Sequence, residues 1–244
     1  MNKVLRESLK RMVKTLPFPL TRNERYDRQT EALIKKLCKA DSVCIDVGCF
    51  NGEILGLMMK YAPRASHFAF EPIPQQFDLL KQKLGDKANI YPFALGDDNS
   101  ETTFAYVTSN PTYSGLKRRE YKGEEKIIEI MVQVRRLDDV ISDKIPIRLI
   151  KIDVEGGEYD VMRGAMQTLK KWRPYLIFEH GIGAADKYGV SPNDVYRFLV
   201  HDLGYSICLM QDFLKNERTN GFTHSEFVEQ FWEGKNCYFL AASG

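Results

Sequence analysis

The stretch Val43-Cys44-Ile45-Asp46-Val47-Gly48-Cys49-Phe50-Asn51-Gly52-Glu53 decides how the chain is read. An apolar run of strand length meets a glycine turn, and the residues from Gly52 to Tyr61 then take helical spacing. Gly48 permits a tight turn and close backbone approach, and Gly52 relieves crowding where the helix starts. The first amides of that helix have no partner within it, so they face whatever anionic group sits above the turn. Asp46 ends the strand beside them, and by position the segment is a cofactor-binding turn.

Outward from this unit the pattern repeats. A helix is expected from Thr30 to about Cys38, strand His67–Phe70 and helix Gln75–Leu84 follow the turn, and a strand lies near Ile90–Phe93. After a turn at Gly96-Asp97-Asp98-Asn99, two β-rich stretches, Thr102–Val107 and Ile127–Val134, read as a small antiparallel insertion at about 100–135. The loop from Thr108 to Lys126 between them is long enough to serve as a lid. A short helix around Leu137–Ile141 leads back to strand Arg148–Ile152, a helix to Lys171, strand Tyr175–Phe178, a helix near Pro192–Leu203, strand Tyr205–Leu209 and a last strand, Asn236–Ala241. Alternating strands and helices predict an α/β fold: a doubly wound, Rossmann-like sheet, mostly parallel, with an antiparallel last strand. Residues 41–244 read as one domain and 1–40 as a helical extension. Within that extension Asn2–Leu16 has an amphipathic pattern suited to packing on a protein or to peripheral contact with a membrane surface.

Composition narrows the class. With 35 basic against 33 acidic residues the net charge is +2, so no global field favours nucleic acid. The apolar fraction of 43% supports a sizeable core, and no apolar run reaches the length of a membrane span. Five cysteines at 38, 44, 49, 208 and 237 show neither a Cys-x-x-Cys pair nor a metal-ligand rhythm, which fits a cytoplasmic location. Trp172 and Trp232 read as core anchors.

The turn argues against a nicotinamide dinucleotide. Counting from Gly48, the next two glycine places of that fingerprint hold Phe50 and Glu53. The following strand ends Phe68-Ala69-Phe70-Glu71-Pro72, where an acid can accept hydrogen bonds from both hydroxyls of a ribose. Taken with Ala94-Leu95-Gly96-Asp97 and Lys151-Ile152-Asp153-Val154-Glu155-Gly156-Gly157-Glu158, in this order and spacing, these motifs resemble the FkbM family of methyltransferases over roughly Asp41 to Gly181. The resemblance implies S-adenosylmethionine as methyl donor and O-methylation of a sugar, glycan precursor or other small molecule. It implies that Asp46, Gly48, Asn51 and Gly52 surround the methionine part with Asp153 nearby. Glu71 and Pro72 would hold the ribose, and Ala94, Leu95 and Asp97 would border the adenine. The chain departs from the family pattern in placing Phe50 before Asn51.

An acceptor approaches from the carboxyl ends of the later strands, where ligands gather in such sheets. Two acidic clusters end there: Asp153 to Glu158, with Asp153 and Glu155 expected to face the cleft, and Glu179-His180-Gly181. Methyl transfer to a hydroxyl requires alignment and removal of a proton. His180 suits the base, its pKa raised by neighbouring carboxylates, although a histidine after a strand is also commonly structural; Asp153 or Glu155 are the other candidates. Asp153, Glu179 and His180 together also suggest a site for a divalent cation such as Mg²⁺. In the lid, Lys117, Arg118 and Arg119 read either as a solvated run or as a grip on an acidic acceptor. Competing functions are a catalytically inactive regulatory module that binds the donor, and an N- or RNA methyltransferase.

Overall fold

The computed structural model describes residues 19, 21–119, 121, 123–216 and 221–243. The amphipathic segment Asn2–Leu16 lies outside them. Helix α1 (Arg22–Leu37) starts earlier than its apolar spacing suggests, because Thr21 and Glu24 form a reciprocal cap. Its buried stripe of Tyr26, Thr30, Leu33, Ile34 and Leu37 packs with Cys44, Met58, Leu149, Ile177 and Leu240. Leu33 and Ile34 are fully buried, each worth roughly 1.5–3 kcal/mol of apolar transfer. This helix therefore shares the core of the sheet that follows it.

Seven strands form that sheet: β1 (Val43–Val47), β2 (Phe68–Phe70), β3 (Asn89–Tyr91), β7 (Ile147–Ile152), β8 (Tyr175–Glu179), β9 (Tyr205–Cys208) and β10 (Tyr238–Ser243), in the spatial order β3-β2-β1-β7-β8-β10-β9. The pairs among β3, β2, β1, β7 and β8 are parallel, and β10 runs antiparallel to β8 and β9. Between β1 and β7 the order reverses, which is where α/β sheets open a crevice at their carboxyl edge. The expected doubly wound sheet with an antiparallel last strand is thus found. Helices α2 (Glu53–Tyr61) and α3 (Pro74–Leu84) link the first three strands.

The chain then leaves the central sheet. Strands β4 (Ala94–Leu95), β5 (Ser100–Val107) and β6 (Ile127–Arg135) make a separate three-stranded sheet, with β5 and β6 antiparallel and β4 parallel to β6. Helix α4 (Leu137–Val140) returns the chain to β7. The single helix expected after β7 is two, α5 (Glu158–Gly164) and α6 (Met166–Trp172). They break at Ala165 beside a close approach, since a side chain at Gly164 would meet the Gly96 carbonyl oxygen at 1.9 Å. Helix α7 (Pro192–Tyr196) continues as a wider π turn to Asp202. Helices α8 (Met210–Asn216) and α9 (His224–Trp232) complete the layers. Trp232 is 57% exposed and so does not anchor the core, whereas Phe231 beside it is buried. Among the described residues, no helix is long and apolar enough to cross a membrane.

Candidate active site

Side-chain alternation sets the site. Asp46 of β1 pairs in register with Lys151 of β7, and Glu179 of β8 pairs with Tyr238 of β10. Because side chains alternate with period two, Asp46, Lys151, Glu179 and Tyr238 share one face at the carboxyl edge of the parallel strands, and Asp153 follows in the same phase.

The β1 turn is shaped by close packing. Gly48 sits at φ +75°, and a Cβ there would lie 2.0 Å from the Asp153 carbonyl oxygen. The amides of Gly48 and Cys49 both donate to Phe70 O at 3.1 Å, tying the turn to β2. Phe50, also in the left-handed region at φ +44°, donates its amide to Glu71 Oε2 at 2.8 Å. Glu71 Oε1 accepts from Ile73 N at 2.9 Å. Each Glu71 oxygen keeps a second acceptor position, and burial pushes the carboxyl up to about 7. Asn51 is exposed and accepts from Glu53 N at 3.1 Å, so it caps α2 in place of Gly52, which offers no side chain. Ala94 and Leu95 are buried in β4, and Asp97 pairs with Arg163 at 3.1 Å. Pro72 is half-buried behind Glu71.

Asp46 is fully buried, and neither carboxylate oxygen accepts a hydrogen bond of ordinary geometry among the described residues, although the Leu55 amide near the start of α2 and the Lys151 charge lie close enough to act on it. Burial raises its carboxyl to about 6, against the opposing charge of Lys151. A buried carboxylate short of hydrogen bonds is costly unless a ligand completes it. This buried acid, the folded-back turn and the spare acceptor positions of Glu71 together fit the polar parts of S-adenosylmethionine.

Next to it lies a charged group that the sequence reading did not assign. Lys151 is only 8% exposed and donates to Asp153 Oδ2 at 3.0 Å; Tyr238 Oη donates to the same oxygen at 2.6 Å. Burial alone would raise the Asp153 pKa, but the Lys151 charge and these hydrogen bonds outweigh it and hold the carboxyl below its ordinary range. Burial, followed by the charges of Asp153 and Glu158, pushes Glu179 well up. Glu158 Oε1 accepts from Val154 N at 2.9 Å and Gly156 N at 3.1 Å, clamping the loop after β7, and burial raises it to about 7. A lysine at a buried position in strand Ile147–Ile152, whose other charged residue, Arg148, is exposed, is the signal the sequence offers.

The structure separates His180 from these acids. Adjacent to Glu179 on one strand path, it points to the opposite face and stacks on Phe227 and Phe231, with ring centroids 5.9 and 4.8 Å away. Burial lowers its pKa to about 4, against the expectation that carboxylates would raise it. The expected Asp153–Glu179–His180 set is therefore not assembled. The carboxylates that converge are Asp153, Glu158 and Glu179, with candidate ligand atoms within 4.8 Å of one another. Lys151 and Tyr238 already occupy one Asp153 oxygen and two amides occupy one of Glu158, which leaves a donor set poorly matched to a resident divalent cation.

Glu155 also departs from expectation. Its backbone is left-handed at φ +58°, and its carboxylate turns to an ion pair with Arg119 of the 108–126 loop. That loop folds back over the edge: Gly115 bridges to Ala105, and Lys117 N donates to Tyr188 Oη at 3.1 Å. Arg119 also lies over the Tyr113 ring, 5.0 Å from its centroid.

Comparison with known proteins identifies the family. The family profile described as "Methyltransferase FkbM domain" matches residues 46–207. The 2-O-methyltransferase NoeI of Sinorhizobium fredii is 31% identical over 156 residues, 58% of this chain and 64% of NoeI, so the chain spans under two thirds of that relative. The hexuronic acid methyltransferase AglP of Haloferax volcanii is 26% identical over 182 residues, 73% of this chain and 70% of AglP. A crystal structure of Methyltransferase FkbM from Methylobacillus flagellatus superposes with a TM-score of 0.52 over 84% of this chain and 44% of that one, at 15% identity, a likeness of fold.

Proposed function

The chain belongs to the FkbM methyltransferase domain family, and from that premise we propose that it methylates a hydroxyl oxygen of a sugar or sugar-like small molecule, using S-adenosylmethionine. The observation that carries the reading is the buried Asp46 carboxylate, short of hydrogen bonds beside a glycine turn, one strand away from Glu71. Asp46, Gly48 and Gly52 would hold the methionine part, Glu71 the ribose, and Ala94 to Asp97 the adenine. When bound, the donor supplies an electrophilic methyl group on a sulfonium.

The remaining residues act on the acceptor. Asp153 is kept ionised by Lys151 and Tyr238, so it is the carboxylate available to accept a hydroxyl proton. Burial and its acidic neighbours push the Glu179 carboxyl well up, which favours its protonated form beside Asp153 as a donor toward an oxygen at this edge. One acceptor and one donor side by side suit neighbouring hydroxyls, and this favours a polyol. Arg119, paired with Glu155, ties the loop to that edge. The relatives NoeI, a 2-O-methyltransferase, and AglP, a hexuronic acid methyltransferase, support the same acceptor class.

The test is transfer of labelled methyl from S-adenosylmethionine to a panel of neutral sugars and uronic acids, with product stability in base separating ethers from esters. A base-stable methyl ether is expected. Labelling of amines or RNA alone would refute the reading.

A further inference from the structure

At the amino end of β1, opposite the cofactor edge, the fold brings two thiols into contact. Cys38 is the residue that ends α1, and Cys44 is the second residue of β1; their sulfurs lie 3.4 Å apart. The turn between them is fixed from both sides, with Ser42 N donating to Lys39 O at 3.0 Å and Lys39 N to Ser42 Oγ at 2.8 Å. The backbone therefore presets the approach. Cys44 is buried and Cys38 half-buried, so Cys38 is the more accessible residue of the two.

Charge favours the same division. Arg148 is anchored beside Cys38, its Nε donating to Leu37 O at 3.1 Å and its guanidinium lying 4.8 Å from the Tyr175 ring centroid. Contact with Cys44 and the Arg148 charge hold the Cys38 thiol below its ordinary range despite burial, whereas contact with Cys38 and burial push Cys44 up. A half-buried cysteine in an electropositive setting, touching a second thiol, has the features of a peroxide-reactive cysteine and its resolving partner. By contrast, burial raises the thiols of Cys49 and Cys237.

We propose that Cys38 and Cys44 form an oxidisable pair that closes to an intramolecular disulfide when the protein meets a hydroperoxide. The Cys38 thiolate attacks the terminal peroxide oxygen, the O–O bond breaks, and Cys38 becomes a sulfenic acid. The Cys44 sulfur then attacks the Cys38 sulfur, the S–S bond forms, and the sulfenic oxygen leaves as water with the Cys44 proton. Two thiols lose two electrons in all, and the peroxide is reduced to water, or to an alcohol and water. Closure requires the sulfurs to move from 3.4 Å to a bond of about 2.05 Å.

The test treats the full chain with hydrogen peroxide and maps it without reduction. Lys39 lies between the two cysteines, so trypsin leaves them on separate peptides unless the bond joins them. The expected result is a linked pair lighter by two hydrogens and released by dithiothreitol. Because Cys49 shares the tryptic peptide of Cys44, Cys44→Ser assigns the partner: it should abolish the link and leave Cys38 as a sulfenic acid trapped by dimedone. Cys38→Ser should leave Cys44 unoxidised at the same dose. A link that survives Cys44→Ser, oxidation spread equally over Cys208 and Cys237, or cross-linked dimers in place of the internal bond would overturn the proposal.

Discussion

Replacing Gly48 by alanine puts a methyl group 2.0 Å from the Asp153 carbonyl oxygen and asks an L-residue to hold φ +75°. The left-handed conformation costs roughly 1–2 kcal/mol for a residue with a Cβ. Relieving the contact means moving β1 and the loop after β7 apart by more than an ångström, and forced repacking of this kind costs typically about 1–3 kcal/mol. The total is about 3 kcal/mol, which lowers the melting temperature by about 6–12 °C for a domain of this size. Gly56 supplies the control, because an alanine Cβ there meets nothing within 4 Å inside α2. Gly56→Ala should raise stability by roughly 0.5–1 kcal/mol through helix propensity and a stiffer unfolded chain. Both variants are compared by calorimetric melting and by titration with S-adenosylhomocysteine. Only Gly48→Ala should lose affinity, since Gly48 and the displaced Asp153 lie at the same edge. If Gly48→Ala melts within about 1 °C of the natural chain, or Gly56→Ala is the more damaging, the packing argument for the turn is wrong.

Three further outcomes are expected. Tyr238→Phe removes the 2.6 Å donor to Asp153; methyl transfer should fall by roughly ten- to a hundredfold, the cost of a hydrogen bond to a charged group, while S-adenosylhomocysteine affinity stays within about twofold. Equal losses in both would instead mark Tyr238 as a part of the donor site. Burial raises Glu71 and Glu158 to about 7 and Asp46 to about 6, so the folded apo chain binds more protons than the unfolded one. Their contribution is fully present below pH ~4 and lost as pH rises through 6 to 7. The urea midpoint should therefore drop between pH 5 and 8, and Glu158→Gln, which keeps a carbonyl acceptor for Val154 and Gly156, should flatten that slope. A midpoint rising over this range would contradict the burial argument. Finally, transfer activity should survive EDTA followed by desalting; loss restored by Mg²⁺ would assign a cation to Asp153, Glu158 and Glu179.

What the sequence made legible was what is local. The β1 turn, the acid at the end of β2 and the alternation of strands and helices all follow from residues close along the chain, and they put Asp46 and Glu71 on neighbouring strands at the carboxyl edge of the sheet. Three capping boxes, Thr21 with Glu24, Ser191 with Asp194 and Thr223 with Glu226, were also local. The first and last mark the start of α1 and the whole of α9, which apolar spacing alone does not reveal. His180 was drawn into the acidic set by adjacency to Glu179, although neighbours on a strand point to opposite faces. The same alternation could have joined Lys151 to Asp153. Tyr238 is different in kind. It reaches Asp153 across 85 positions of sequence, through an antiparallel register that no local pattern announces. The Arg119–Glu155 pair likewise depends on where a long loop lands.

The most direct test of the central claim is calorimetric titration of the natural chain and of Glu71→Ala with S-adenosylhomocysteine, using NAD as the control ligand. The expected result is micromolar binding of S-adenosylhomocysteine, none of NAD, and at least tenfold weaker binding by the folded Glu71→Ala variant. Binding of NAD, or a folded natural chain that binds S-adenosylhomocysteine no better than the variant does, would contradict the assignment of this edge as a methyl-donor site.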